Sequence, residues 1–400
     1  MGAWLCKASP ASSPLGWPSL LPELADLVLR RLPSLADRVR FASACRHWRH
    51  AMKQYSLPSL PRPLPWLNFS DGRFRSLPDG ELHSFQFRKP TDTLCVGCFD
   101  NWLLFDELSC IRPSLRHYLK NPLRRATRRL PGYCREPVHL NPDGSHGRRS
   151  SSRSTDFRIR KVIICSRDLV VAKVNYQHGP CAVVCCRPGT SSSWSTGLCN
   201  GLWYQDMAFY GGKIYTVTIE GDLFAHEVSA GGTDTEEEPT ISRMGRVIQA
   251  TKTQRLNYAR CYLVISCTGK LLMVRWIIPY DYYTSKDSTG HMTLRVFEAD
   301  FETSQWLEVK SLADQVLFVS SNSSRAISVS APGSQAGHYL QGNKIYFVDH
   351  NDWYWRLWRP SRPRNCGVYD MSNHTIESIS LGETHIINHQ VEASWFFPHG

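Results

Sequence analysis

The hydrophobic period of this chain changes once, at a Pro-rich stretch from Leu57 to Pro65. Before it, apolar residues recur at helical spacing. After it they alternate in short runs separated by Gly, Asn, Asp and Pro. A 3.6-residue stripe buries one flank of a helix and a two-residue alternation buries one face of a strand, so the two parts are expected to fold as separate units joined by a semi-rigid spacer at 57–65. Residues 1–15, rich in Ser, Pro and Ala, carry neither period and read as a disordered terminus.

In the helical part, Leu24, Leu27, Val28 and Leu32 fall at i, i+3, i+4 and i+8, on one face of a helix. Pro22 suits its first turn and Pro33 ends it. Ser34, followed three residues later by Asp37, predicts a capping box that opens a second helix. Phe41, Cys45, Trp48 and Met52 continue that helix at spacings of four, three and four, to about Tyr55. The pair is expected to form an antiparallel hairpin. About 40 residues bury too little apolar surface to be robust alone, so the hairpin needs a partner.

The clearest unit of the second part runs from Gly211 to Ile219. Tyr215, Val217 and Ile219 face one way and the threonines the other, and the chain turns at Gly221-Asp222 to return through Leu223 and Phe224 as a hairpin. The same turn, lysine and strand recur at Gly269–Val274 and Gly342–Val348, with an earlier copy at Asn101–Phe105. A further turn at Asn351-Asp352 and an aromatic strand, Trp353 to Trp355, follow the Gly342 unit. The intervals are 57 residues from Gly212 to Gly269 and 73 from Gly269 to Gly342, near the scale of kelch-like blades carrying loop insertions. Residues 66–400 are therefore expected to form an all-β propeller of about six or seven blades, since about 50 residues make one blade and ring closure removes exposed edges. The 24 Pro, 26 Gly, 13 Trp and 16 Tyr fit many short strands joined by turns. The fold class is α+β multidomain, with insertions near 141–156 and 233–239.

Charge suggests nucleic acid until it is localised. Residues 120–161 hold 12 Lys/Arg against three acids (Glu136, Asp143, Asp156), so +9 of the formal +12 is local and the other 358 residues carry +3. Arg124 to Arg129 lies inside a strand pattern, and Arg148 to Arg153 lies in a Gly/Ser loop without interleaved aromatics for base stacking. A solvated strand edge plus a flexible loop is the favoured reading, with nuclear import second and nucleic-acid binding third.

The 14 cysteines lack regular spacing and no charged-then-apolar leader precedes them, which suggests reduced thiols in the cytoplasm or nucleus. Gly2 is placed for myristoylation, but Cys6 stands where that signal wants Ser or Thr. Leu271 to Tyr280 is about half a membrane span and contains Arg275 and Pro279, so no transmembrane segment is expected. Cys95-x-x-Cys98 has zinc-ligand spacing without a second pair at finger distance. Cys181, Cys185 and Cys186, and Cys261 with Cys267, fit strand interiors. No metal or cofactor is expected. Nucleophile-elbow, phosphate-loop and zinc-protease motifs are lacking, which points away from an enzyme, although a nucleophile assembled from distant blades would leave no such motif.

Two resemblances add to this reading. Trp17-Pro18-Ser19-Leu20-Leu21-Pro22-Glu23-Leu24, then Val28-Leu29-Arg30-Arg31-Leu32-Pro33, then Asp37-Arg38-Val39-Arg40-Phe41, then Cys45-Arg46-His47-Trp48-Arg49, resembles an F-box. The resemblance implies that residues 16–56 bind the Skp adaptor, which links such proteins to a cullin scaffold and a ubiquitin-conjugating enzyme. It assigns that contact to Leu21, Pro22, Leu24, Leu27, Val28, Leu32, Phe41, Cys45, Arg46, Trp48 and Arg49, with the two arginines at its rim. The same apolar residues also suit a merely internal hairpin core, and the ordered motif weighs for docking.

Beyond the spacer, Asn121 to Pro131, the Gly-Lys-Ile-Tyr units and the closing Trp395-Phe396-Phe397-Pro398 resemble the propeller domain of the plant Kib-type F-box proteins. Together the resemblances imply a non-catalytic substrate receptor of an SCF-type ubiquitin ligase that recruits an unidentified protein. The rival expectations are a propeller scaffold or sequestering protein acting outside a ligase, and a basic nuclear or nucleic-acid-binding protein.

Overall fold

A computed structural model describes residues 21–54, 62–69, 72–77, 80–85, 93–108, 115–135, 138–139, 153–154, 157–176, 181–199, 202–230, 238–251, 259–277, 293–331, 336–348, 366–379 and 393–398. The turn at Asn351-Asp352, the strand at Trp353 to Trp355, the N-terminal 20 residues and most of the two loop insertions lie outside them.

Three helices open the described chain: α1 (Pro22–Arg31), α2 (Leu35–Ala44) and α3 (Arg46–Gln54). The sequence predicted two. The second divides at Cys45, whose backbone is extended at φ −154°, ψ 167°. Its Sγ accepts the Trp48 N–H at 3.3 Å, so the thiol satisfies an amide of the new first turn as a capping oxygen would. The capping box is also only half present. Ser34 Oγ accepts from the Ala36 N–H at 3.2 Å, but Asp37 pairs with Arg40 at 2.9 Å. Ala25, Leu29 and Phe41 form the buried centre of the three helices, with Val28, Leu32 and Trp48 packed around them. Buried Arg38 donates its Nε–H to the Leu32 carbonyl at 2.8 Å, holding the exit of α1, and burial pushes its pKa down to about 10.

The rest is a six-bladed propeller built from five four-stranded sheets and one five-stranded sheet. Blade 1 joins the two ends of the domain: Ala393–Phe396 pairs antiparallel with Trp66–Phe69, followed by Arg73–Ser76 and Leu82–Ser84. Blades 2 to 5 run in chain order from their inner strands, Thr93–Phe99, Phe157–Ser166, Tyr204–Tyr210 and Ala259–Ile265. Each unit picked out by the Gly-Lys pattern is the strand after an inner strand: Trp102–Leu108, Lys213–Thr218, Leu271–Ile277 and Lys344–Val348. The turns before these strands need a left-handed residue, supplied by Asp100, Gly212, Gly269 and Asn343 (φ 51° to 79°).

Ring closure is visible in the cores. Six hydrophobic clusters lie one at each interface between neighbouring blades, the last joining blade 1 to blade 2 through Trp66, Phe74, Phe396, Leu103 and Phe105. Alternate residues of one strand feed different clusters: Val170, Ala172 and Val174 pack toward blade 2, and Leu169 and Val171 toward blade 4.

Blade 6 departs from the pattern. Gln315–Ser320 runs parallel to Lys344–Val348, and an extra strand, Arg325–Ser328, pairs with its other side at the inner edge. Trp395 Nε1–H donates to the Val319 carbonyl at 3.1 Å, fastening the closing strand to this blade. Cys181, Cys185, Cys186 and Cys261 are buried as expected, but Cys267 is exposed, because it sits in the turn after an inner strand rather than within it.

Candidate functional site

The helical unit meets the propeller through one flank. Leu35 and Ala36 at the start of α2 pack on the aromatic cluster around Trp66, Phe74 and Phe396. The Leu64 N–H donates to the Pro33 carbonyl at 3.0 Å, and Arg40 pairs with Glu81 of blade 1 at 2.5 Å. That ion pair is exposed and adds little, so the apolar contact dominates the attachment.

The opposite flank of α1 remains in solvent. Leu21, Leu24 and Leu27 are 62%, 45% and 50% exposed, and Val39 of α2 is 48% exposed. Three leucines at spacings of three, each half in water, are a face that a partner helix or groove would bury. Arg46 and Arg49 are exposed at the start of α3, and Arg49 Nε donates to the Ala42 carbonyl at 3.3 Å.

The residues expected at the adaptor contact therefore divide. Leu21, Leu24, Leu27, Arg46 and Arg49 are exposed. Pro22 begins α1. Phe41 turns inward, buried and stacked on half-buried Trp48 with ring centroids 4.3 Å apart, and Val28 and Leu32 pack against the same centre. Cys45 is half-buried and forms the break between α2 and α3. Phe41 is thus an interior residue, because folding the second helix back at Cys45 closes α3 over it. Val39, which the helical spacing passed over, is the apolar addition to the exposed set.

The other candidate residues lie in and around the ring. In blade 2, Arg124 and Arg125 are exposed in the turn before the outer strand, Ala126–Leu130, rather than within it as the pattern predicted; on that strand Arg129 is exposed, and Arg128 lies 4.9 Å from the Trp102 ring and donates to the Arg167 carbonyl at 3.1 Å. Arg148 and Arg149 lie outside the described residues. Cys95 and Cys98 are buried between blades 1 and 2, where Cys95 Sγ donates to Asn68 Oδ1 at 3.6 Å and burial pushes the Cys98 thiol well up. Among the described residues, no three His, Cys, Asp or Glu are grouped to hold a metal ion. His117 Nδ1 and Asp106 Oδ1 lie 2.7 Å apart, with the imidazole ring 5.4 Å from Phe157, but no hydroxyl or thiol completes a nucleophilic triad there among the described residues. No helix among them is long and apolar enough to cross a membrane.

A family model described as KIB1-4 beta-propeller matches residues 74–370, most of the chain and nearly all of the ring. The chain belongs to the KIB1-4 beta-propeller family. The curated relatives of this KIB1-4 propeller include a putative F-box protein of Arabidopsis thaliana, 23% identical over 400 residues, spanning 93% of this chain and 94% of that one. A probable F-box protein of the same plant is 22% identical over 357 residues, with 83% and 90% covered, and a second putative F-box protein is 22% identical over 386 residues, with 91% and 90% covered. At 93% and 91% of this chain, the first and third alignments take in part of the helical unit as well as the propeller. The crystal structure of the tricorn protease covers 76% of this chain and 33% of that chain with 8% identity and a TM-score of 0.24, too low to bear on the KIB1-4 fold or its function. A helical unit with an exposed leucine face, attached to a KIB1-4 propeller and shared with relatives named F-box proteins, supports a substrate-receptor role in general.

Proposed function

We propose that this chain is the substrate-receptor subunit of an SCF-type cullin-RING ubiquitin ligase. Residues 21–54 dock a Skp adaptor, and the propeller holds a protein target whose identity the fold does not determine. The observation that carries the reading is the exposure of Leu21, Leu24 and Leu27 on a helix whose other flank is used internally. The chain itself does no chemistry. It holds a target lysine near a charged conjugating enzyme, which turns transfer into an effectively intramolecular step. Such a role belongs in the cytoplasm or nucleus.

The test is co-purification of the full chain with the adaptor and a cullin. The unaltered protein is expected to retain both, and Leu24→Asp with Leu27→Asp to lose both while the thermal midpoint stays unchanged. Undiminished adaptor capture by the double variant refutes the docking face. Adaptor capture without cullin by the unaltered protein would instead make the chain a sequestering scaffold.

A further inference from the structure

The inner strands of the ring surround a cavity of about 780 Å³, within the range of small-molecule sites. Its mouth opens where Arg62, Asp100 and Cys267 are exposed. Among the described residues, four charged side chains line it: Arg62, Lys161, Arg325 and Asp100. Lys161 is accounted for by Asp206, 2.7 Å away and fully buried. That leaves two guanidiniums and a single carboxylate. Asp100 accepts from Arg325, whose guanidinium lies 4.8 Å from the Phe397 ring; burial lowers the Arg325 pKa, Asp100 opposes that, and the charge on Arg62 adds a smaller push downward. Asp314 does not line the cavity, and its carboxylate accepts from Ser328 Oγ at 2.6 Å. The lining next to Arg325 is polar, at Asn322, Ser323 and Ser324, and the rest of the wall includes the apolar Phe209 and Ile265, the latter 39% exposed.

The extra strand of blade 6 creates this arrangement. A regular inner strand would leave the hub as a simple channel. Arg325–Ser328 instead adds a fifth strand at the inner edge and carries Arg325 across to blade 2, while Arg62 arrives from the segment that joins the helices to the ring. Two forked donors in a partly apolar cavity match one ligand chemistry: a single acid group on a hydrophobic body.

We propose that the hub of the propeller binds a small apolar organic anion, its acid group held between Arg62 and Arg325 and its hydrophobic body against Phe209 and Ile265. Arg62 supplies the unmatched charge, and Arg325 supplies a second donor already fixed by Asp100. The site is independent of the adaptor face and concerns the opposite end of the 57–65 spacer.

Fluorescence titration of the full chain with 8-anilinonaphthalene-1-sulfonate tests it, with uncharged N-phenyl-1-naphthylamine as the comparison. The sulfonate is expected to bind saturably with one site per chain, and Arg62→Gln to weaken it about tenfold, the effect of losing one charge-assisted hydrogen bond, without changing the naphthylamine. In the unaltered protein, bound sulfonate should also slow alkylation of Cys267 by iodoacetamide, read by peptide mapping. This second measurement needs no variant. No saturable sulfonate binding, equal affinity before and after Arg62→Gln, or alkylation of Cys267 at the same rate with and without the sulfonate would each overturn the assignment.

Discussion

The Lys161 ammonium donates to the Asp206 carboxylate at 2.7 Å, with both side chains buried. Asp206 also accepts the backbone N–H groups of Met207 at 2.8 Å and Leu263 at 2.7 Å, so one carboxylate ties the inner strands of blades 3, 4 and 5. A second ammonium, Lys173, lies buried nearby and donates to the Tyr204 carbonyl at 3.4 Å; burial pushes its pKa down and Asp206 pulls it back up. Asp206→Leu strands these cations and is expected to lower stability by about 3–5 kcal/mol, with Lys161→Met in the same chain restoring part of the loss. Equilibrium denaturation of the single and double variants measures both.

Buried thiols set the alkaline limit. Burial pushes Cys366 up to about 12, against 9.0 for an unburied thiol, and does the same at Cys134, Cys165, Cys185 and Cys261. The unfolded chain therefore loses protons that the folded chain keeps. The stability these groups contribute is full below pH 9 and is lost as pH rises toward 12, by about 1.4 kcal/mol per pH unit for each thiol. Cys366→Val should make the decline shallower by that amount in denaturation series between about pH 9 and 11. An unchanged slope would contradict the account.

Interior and exposed residues of the helical unit should respond by very different amounts. Phe41 is buried and stacked on Trp48, so Phe41→Ala is expected to destabilise the three helices by about 3–5 kcal/mol. Leu24, 45% exposed, should change stability by less than about 0.5 kcal/mol on conversion to Asp. Amide exchange within α1 to α3 separates the two: it accelerates in Phe41→Ala and not in Leu24→Asp.

Gly97 permits a close approach between blades 2 and 6. A Cβ there would overlap the Asn322 side chain, meeting its Cγ at 2.9 Å, and would push the amide off the Val96 carbonyl to which it donates at 3.0 Å. Gly97→Ala is expected to cost about 1–3 kcal/mol through this overlap. Combining it with Asn322→Ala should cost less than the sum of the separate changes, since the overlapping group is then gone. A double-mutant cycle by thermal or denaturant unfolding reads the coupling, and strict additivity would rule the contact out.

Much of the ring is legible in the chain's local patterns. The turn-lysine-strand unit marks the strand after the inner one in blades 4, 5 and 6 because the turn before it needs a left-handed residue, which leaves Gly or Asn in the sequence. Blade 3 carries no such mark. Its corresponding strand, Leu169–Tyr176, is buried on both faces by two different clusters, so Leu169, Val170, Val171 and Ala172 form a continuous apolar run without alternation. The extra strand Arg325–Ser328 is equally silent, since all four of its residues are half-buried at the mouth of a cavity. In the helical unit, the spacing of Phe41, Cys45 and Trp48 is helical even though the chain bends at Cys45. The break rests on the backbone conformation of that single residue, which periodicity does not record.

Which residues share a face is written in the order of the amino acids: Leu24 with Leu27, Tyr215 with Val217, and the ordered motif from Leu21 to Arg49. What covers each face is set by the packing of the elements in space. Ala25 and Leu29 meet Phe41, while Leu21, Leu24 and Leu27, equally apolar, meet solvent. Periodicity is a property of one element, whereas burial depends on where other elements arrive. The convergence of Arg62 and Arg325 on one cavity belongs to the same class, because residues 263 positions apart line the same space only once the ring has closed.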